Sequence, residues 1–81
     1  MNTLIQEFSD YLRIEKRNSP HTVSAYRRDL VRFSAKLAGQ KVESLTTADI
    51  RDFLISLKEK GLSAASVARN LSSIKSFFKY L

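Results

Sequence analysis

Few side chains in this sequence could take part directly in covalent chemistry. His21 is the single histidine and could act as a general base or a metal ligand, but it has no second ligand or neighbouring nucleophile. Tyr80 could act as a nucleophile, but it faces outward on the last helical segment and stands alone. The sequence has no cysteine, no glycine-rich phosphate loop and no paired carboxylates. We therefore expect no active site, no metal and no cofactor in these residues.

Basic side chains point to a different chemistry, because arginine and lysine pair with phosphates. The 81 residues include 14 basic and eight acidic side chains, which leaves a net charge of +6. Residues 13–36 hold seven basic and two acidic side chains, and residues 60–81 hold four basic and no acidic ones. This imbalance favours a polyanionic partner. Charge alone leaves nucleic acid, anionic lipid and simple solubility open.

Four amphipathic helices must position these charges. Apolar side chains recur at spacings of three and four residues over 3–17, 20–38, 47–60 and 64–81, which is the pattern of a helix with one buried face. Short connections between these segments predict a compact all-α bundle of four helices. The predicted core comprises Leu4, Ile5, Phe8, Tyr11, Leu12, Val23, Tyr26, Leu30, Phe33, Leu37, Ile50, Phe53, Leu54, Leu57, Val67, Leu71, Ile74 and Phe78.

Polar residues and glycines predict where these helices begin and end. Side chains able to cap a helix N-terminus precede the second, third and fourth helices, and they are Ser19, Thr46 and Ser63. Glycines able to adopt the left-handed conformation follow the second and third helices, and they are Gly39 and Gly61.

Two apolar residues fall outside the predicted core. Ile55 lies on the side of the third helix away from Phe53, and Phe77 lies at the margin of the buried stripe of the fourth helix. Scattered exposed apolar residues are common on folded proteins and need no function. For Ile55, a contact with a second copy of the parent protein is the alternative.

Two predicted outward faces combine arginines with small polar side chains. They carry His21, Ser24, Arg28 and Arg32 on the second helix, and Ser66, Arg69, Ser73 and Ser76 on the fourth. Such a face can lie in a major groove, because arginines reach guanine edges or phosphates and small neighbours allow the backbone to approach. A solvated surface without a ligand is the alternative. Because Arg28 and Arg69 are placed outside the core, truncating either should change the free energy of unfolding by only about 0.5 kcal/mol.

Blocks of residues along the whole chain form a family pattern. They are Tyr11-Leu12, Glu15-Lys16, Ser19, Thr22, Tyr26-Arg27-Arg28-Asp29-Leu30, Phe33, Gly61-Leu62-Ser63, Ala68-Arg69, Leu71-Ser72, Ser76-Phe77-Phe78 and Leu81. Together these blocks resemble the N-terminal core-binding domain of tyrosine recombinases, with the closest likeness to Xer recombinases and phage integrases.

The resemblance implies a SAM-like bundle that forms one half of a clamp around duplex DNA. Residues 1–81 would be the core-binding domain, with its second and fourth helices in or beside the major groove of a recombination half-site. The contacts that the resemblance implies are His21, Thr22, Ser24, Arg28, Ser66, Arg69 and Ser73. We add Arg32 to them, because it lies on the predicted outward face of the second helix.

The resemblance places the chemistry of the family in a separate C-terminal domain. There a tyrosine attacks the scissile phosphate to form a 3′-phosphotyrosyl link, while arginines, a lysine and a histidine stabilise the transferring group. We therefore expect this chain to be catalytically silent and its parent to be a site-specific DNA recombinase. The fourth helix is still apolar and periodic at Leu81, which favours a fragment of a longer protein. Other recombinase protomers would be further partners, and we expect no membrane association and a cytoplasmic, nucleoid-associated location.

Two other functions remain open. A helical protein-interaction module could carry the same charge for solubility, and a transcriptional regulator could use two of the helices as a helix-turn-helix. A DNA clamp should lose affinity steeply with salt, whereas a protein interface with an apolar centre should not. The Ser-Pro-His-Thr start of the second helix and the unfinished fourth helix favour the integrase pattern over the regulator.

Overall fold

Four α-helices make up most of the chain in the computed structural model, which describes residues 1–37 and 39–81. A single 3₁₀ turn, Val42–Ser44, lies between the second and third helices, and the described residues contain no strand. The predicted all-α bundle is therefore confirmed. Within the described ranges, no helix has the length and apolar character needed to cross a membrane. The helices are α1 (Asn2–Ile14), α2 (Pro20–Leu37), α3 (Thr47–Glu59) and α4 (Ala64–Tyr80).

The first helix ends three residues before the predicted boundary at residue 17. The cap residue Glu15 keeps helical backbone angles. Two residues later Arg17 adopts a positive φ of 52°, which is uncommon for a residue with a Cβ atom and turns the chain away from the helix. The Asn18 amide then donates to the Leu12 carbonyl at 3.0 Å, which satisfies one of the last acceptors of α1. The second helix reaches Leu37, and its predicted extension to Ala38 lies outside the described residues.

Side-chain caps begin three helices at the predicted residues. Ser19 accepts from an amide of the first turn of α2 at 3.2 Å. Thr46 and Asp49 form a reciprocal capping box, in which the Asp49 amide donates to Thr46 Oγ1 at 3.2 Å and the Thr46 amide donates to Asp49 Oδ2 at 2.9 Å. Ser63 accepts from the Ser66 amide at 3.2 Å. These caps satisfy backbone donors that the first helical turn leaves unpaired.

A left-handed turn at Gly61 closes α3 and directs the chain into α4. Its φ is 90°, a region that glycine adopts without steric cost. The Leu62 amide donates to the Leu57 carbonyl at 3.2 Å and the Gly61 amide donates to the Lys58 carbonyl at 3.0 Å. This pair of bonds is the Schellman motif that commonly ends helices. Because the connection between Glu59 and Ala64 is short, α4 packs beside α3.

Aromatic side chains join the helices at the centre of the bundle. The rings of Phe33 on α2 and Phe53 on α3 meet edge to face with centroids 5.1 Å apart. The rings of Phe8 on α1 and Phe77 on α4 meet in the same way at 5.5 Å. The buried apolar side chains are Ile5, Phe8, Leu12, Leu30, Phe33, Phe53, Leu57, Ile74 and Phe77.

The buried side of α4 differs from the predicted stripe. It runs through Asn70, Ser73, Ile74 and Phe77, all of which are inaccessible or nearly so. The placement of Phe77 at the margin was wrong, because the helix is rotated so that two polar residues share the inward side with it. An apolar periodicity cannot register such a rotation, since it treats Asn and Ser as outward residues.

Two outlying apolar side chains behave differently from each other. Ile55 is 50% exposed, as the sequence predicts. Tyr80 was predicted to stand alone, and this is wrong, because its ring centroid lies 4.8 Å from that of Tyr11 and 5.3 Å from that of Phe8. The helical pattern of α4 could not show this contact, because Tyr11 and Phe8 belong to α1.

We expect Thr46→Ala to lower the free energy of unfolding by about 1 kcal/mol, because it removes the acceptor of the Asp49 amide. Urea denaturation followed by circular dichroism measures this change. Thr47→Ala is a matched control, because Thr47 is exposed and follows the cap. An equal loss of stability in the two variants would contradict the role of the capping box.

Candidate nucleic-acid interface

One outward face of α2 holds three of the candidate residues in solvent. His21, Ser24 and Arg28 are exposed and follow one another at spacings of three and four residues. They lie outside because Leu30 and Phe33 turn the other side of the helix into the core. The predicted exposure of these three side chains is confirmed.

A shallow depression on this face brings in two further residues. Ser24 and Arg28 line it together with Arg27 and Val31. Arg27 and Arg28 are both exposed, and neither forms an ion pair within residues 1–37 and 39–81. Arg27 and Val31 are missing from the sequence-derived candidates, although they lie three and seven positions after Ser24 on the same side of the helix. We name Ser24, Arg27, Arg28 and Val31 the α2 basic face.

Two other candidates on α2 are partly withdrawn from solvent. Thr22 is half-buried, and its hydroxyl lies 3.0 Å from the hydroxyl of Ser19 at the start of the helix. Arg32 is also half-buried, and its Nη1 is shielded from solvent with no acceptor among the described residues. Buried donors are normally paired, so Arg32 keeps a hydrogen-bonding capacity that the bundle does not use.

The candidate face of α4 is partly turned towards α2, through Arg69 and Ser73. Ser66 and Arg69 are half-buried, and Ser73 has no exposed surface. The prediction that Ser73 faces outward was wrong, because its hydroxyl is held by a carboxylate of α2. A side chain with no accessible surface cannot touch DNA directly, so Ser73 has a structural role in this conformation.

A buried carboxylate joins α2 to α4. Asp29 is 0% exposed and receives two hydrogen bonds from Arg69, one from Nε to Oδ2 and one from Nη2 to Oδ1, each 2.9 Å long. The Ser73 hydroxyl lies 3.0 Å from Asp29 Oδ2 and 3.0 Å from the Arg69 carbonyl, so these two acceptors compete for its single proton. A planar, two-bond pair between arginine and a carboxylate is the strongest form of this contact and the most directional.

The electrostatics of this pair keep the arginine charged. The hydrogen bonding that Arg69 donates to Asp29 is the largest cause that raises the pKa of Arg69 above its ordinary value, and direct attraction to the carboxylate adds to it. Desolvation acts in the opposite direction but is outweighed. The pairing with Asp29 therefore favours the charged form of the Arg69 side chain.

Sequence reasoning missed Asp29 as a structural residue, although one signal was available. Asp29 stands beside Leu30 and four positions before Phe33, which places it on the apolar side of α2. An acidic residue within a buried stripe requires a hydrogen-bonded cation nearby. In a chain with 14 basic side chains, the sequence could not show which cation it was.

A second polar side chain is buried on α4. Asn70 is fully buried and its Nδ2 donates to the Ser66 carbonyl at 2.8 Å. Its Oδ1 has no hydrogen-bond partner in the part of the chain that the structure describes. The inward side of α4 is therefore polar along two successive turns, at Arg69-Asn70 and at Ser73.

Known proteins are similar to this sequence over nearly its whole length. Residues 5–81 match the family model described as the N-terminal SAM-like domain of phage integrases. Tyrosine recombinase XerC from Alcanivorax borkumensis is 40% identical over 82 residues, which cover 99% of this chain and 27% of the relative. Tyrosine recombinase XerD from Chlorobaculum tepidum is 43% identical over 79 residues, which cover 95% of this chain and 26% of the relative.

The extent of these matches decides the family. The chain spans about a quarter of the length of the curated relatives that it matches. No solved structure matches the chain significantly. The family model covers residues 5–81, which include all of α2, α3 and α4 and most of α1. The chain therefore belongs to the family of N-terminal SAM-like domains of phage integrases.

Proposed function

We propose that this chain binds duplex DNA as the N-terminal clamp domain of a site-specific tyrosine recombinase. The observation that carries the proposal is the α2 basic face, where two adjacent arginines stand in solvent beside a small hydroxyl side chain. Arginines of this kind are available to DNA phosphates, and a small neighbour allows the helix backbone to approach a groove. Family membership supports the proposal, because the relatives are named tyrosine recombinases.

The proposed contact surface extends from the α2 basic face to the start of α4. Ser73 is not part of it, since the side chain is buried. Thr22 and Ser66 remain in it because they are only half-buried and lie in the first turns of their helices. The proposed contacts are His21, Thr22, Ser24, Arg27, Arg28, Arg32, Ser66 and Arg69.

In the parent protein, we place strand cleavage and rejoining in a domain beyond this one. The relatives named tyrosine recombinases are about four times longer than the matched segment. Tyr80 is not arranged as a nucleophile, because its ring packs against Tyr11 and Phe8. This domain would position the parent enzyme on a half-site of chromosomal DNA, in the cytoplasm at the nucleoid, beside other recombinase protomers.

We expect Arg28→Ala to weaken duplex binding and to reduce the slope of log K against log salt by about 0.9, which is the loss of one phosphate contact. Fluorescence anisotropy with a labelled duplex, repeated over a series of salt concentrations, measures both quantities. Because Arg28 is exposed and unpaired within the described ranges, its truncation should change the free energy of unfolding by no more than about 0.5 kcal/mol.

The matched control is Arg51→Ala on α3. Arg51 is also exposed, so the variant loses the same charge from a different helix. We expect a smaller loss of affinity, since Arg51 is not part of the proposed surface. Equal losses in the two variants would count against the α2 basic face. DNA binding by the unsubstituted 81-residue chain that does not respond to salt would favour a protein-interaction module.

A further inference from the structure

The Arg69 guanidinium uses only one of its edges in the bond to Asp29. Nε and Nη2 donate to the carboxylate, whereas Nη1 makes no hydrogen bond within residues 1–37 and 39–81. The Arg69 side chain is 39% exposed, although the Asp29 side chain is completely buried. One edge of the cation is therefore fixed inside the bundle while part of the side chain stays in contact with solvent.

A fixed edge determines where the rest of the guanidinium can lie. The group is planar and rigid, so two parallel hydrogen bonds on one side leave its remaining N–H donors with a defined direction. A free arginine loses rotamer freedom when it binds a ligand, whereas Arg69 has already lost much of that freedom in the folded domain. Phosphate is the ligand class that suits a charged, planar donor of this kind.

We propose that Asp29 is a positioning residue for DNA binding, which holds Arg69 so that the unused N–H donors face a phosphate of the duplex. The inference rests on the proposed function and deepens it, because it assigns a role in DNA binding to a residue that cannot reach DNA. Asp29 acts only through Arg69. The Ser73 hydroxyl lies 3.0 Å from the same carboxylate oxygen that accepts from Arg69 Nε.

Two effects of Asp29 on DNA binding have opposite signs. Its negative charge disfavours a polyanion, so electrostatics alone predicts that Asp29→Asn tightens binding by adding one unit to the net charge of +6. Positioning predicts the reverse, because an amide has one acceptor oxygen and cannot reproduce the two parallel bonds that Oδ1 and Oδ2 of Asp29 accept. The direction of the change therefore separates the two effects.

The experiment measures duplex affinity for the 81-residue chain and three variants: Asp29→Asn, Arg69→Lys and the double variant. The probe is a labelled duplex of mixed sequence, used at several salt concentrations and at a temperature where circular dichroism shows each variant folded. We expect Asp29→Asn to weaken DNA binding roughly three- to tenfold, which is about the effect of weakening one phosphate contact. In the Arg69→Lys background, we expect Asp29→Asn to cause no loss, since lysine has no planar fork to hold.

Asp52→Asn is the matched control, because it makes the same chemical change at an exposed position on α3. We expect it to leave affinity unchanged or slightly tighter. Tighter binding by Asp29→Asn would overturn the inference, because it indicates that only the charge of Asp29 matters. An equal loss of DNA affinity in both Arg69 backgrounds would also overturn it, because it indicates a general loosening of α2 against α4.

Two further outcomes are also decisive. If Asp29→Asn does not fold, Arg69→Lys alone provides the test, since weaker binding with the charge retained supports positioning and parent-like affinity overturns it. If the unsubstituted 81-residue chain does not bind duplex DNA even at low salt, the proposed function fails, and this inference fails with it. If the unsubstituted chain binds DNA and the Asp29→Asn variant binds it more tightly, only the positioning role is refuted.

Discussion

Replacing Arg69 with alanine is expected to lower the free energy of unfolding by about 3 kcal/mol, the lower end of the cost of breaking a buried ion pair. The Asp29 carboxylate, which is fully buried, loses two hydrogen bonds and its paired cation. The cost stays near the lower end because the Arg69 side chain is 39% exposed, and water can enter the space that it leaves. The expectation of a change of about 0.5 kcal/mol assumed that Arg69 lies outside the core, and it no longer holds.

Urea denaturation of Arg69→Ala, Asp29→Ala and the double variant measures this cost and its origin. We expect the double variant to lose less stability than the sum of the single variants, with a coupling energy of about 1 to 3 kcal/mol. Arg28→Ala is the control, because it removes an exposed arginine from the same pair of helices. A loss in Arg69→Ala no larger than that in Arg28→Ala would show that the buried pair does not stabilise the domain.

Phe77→Ala is expected to be the other severe substitution, with a loss of about 3 to 5 kcal/mol in the free energy of unfolding. Phe77 has no exposed surface, and its ring contacts Phe8 of α1 at 5.5 Å and Phe78 at 5.8 Å between centroids. For a domain of this size the whole free energy of unfolding is about 4 to 12 kcal/mol at the usual value per residue. The loss is therefore a large share of the total, and the melting temperature of the variant should fall substantially.

Thermal denaturation followed by circular dichroism tests the role of Phe77. Phe77→Leu fills more of the cavity than alanine does and should recover a large part of the lost stability. Ile55→Ala is a control for removing an apolar side chain that is half exposed. A melting temperature for Phe77→Ala close to that of Ile55→Ala would contradict the placement of Phe77 at the centre of the core.

The helices themselves could be predicted because their ends depend on local chemistry. Ser19, Thr46 and Ser63 cap the helices they precede, and Gly61 closes α3 with a positive φ. These interactions span four to six residues, so they are visible in the sequence. The end of α1 was less visible, because Arg17 adopts a conformation that its residue type does not favour.

The candidate site was predictable on α2 and poorly predictable on α4, for a physical reason. On α2, an apolar stripe determines which side is buried, and Arg28 falls on the opposite side. On α4, small polar residues occupy both sides, so hydrophobicity alone could not orient the helix. The bond between Arg69 and Asp29 lies on its inward side, and it is a pairing between distant parts of the chain that spacing rules do not reveal.

Asp29 and Arg69 stand 40 positions apart, so the pair connects the second helix to the last across α3 and its flanking turns. In the unfolded chain both groups are hydrated separately, and bringing them together costs the entropy of closing the loop between them. Lifting α4 off α2 would return a carboxylate and a guanidinium to water together. The inner turns of α4 should therefore resist hydrogen exchange until the contact with α2 opens as a whole, rather than fray one turn at a time. We therefore expect the two helices proposed to face DNA to open as one cooperative unit, although they belong to opposite halves of the sequence.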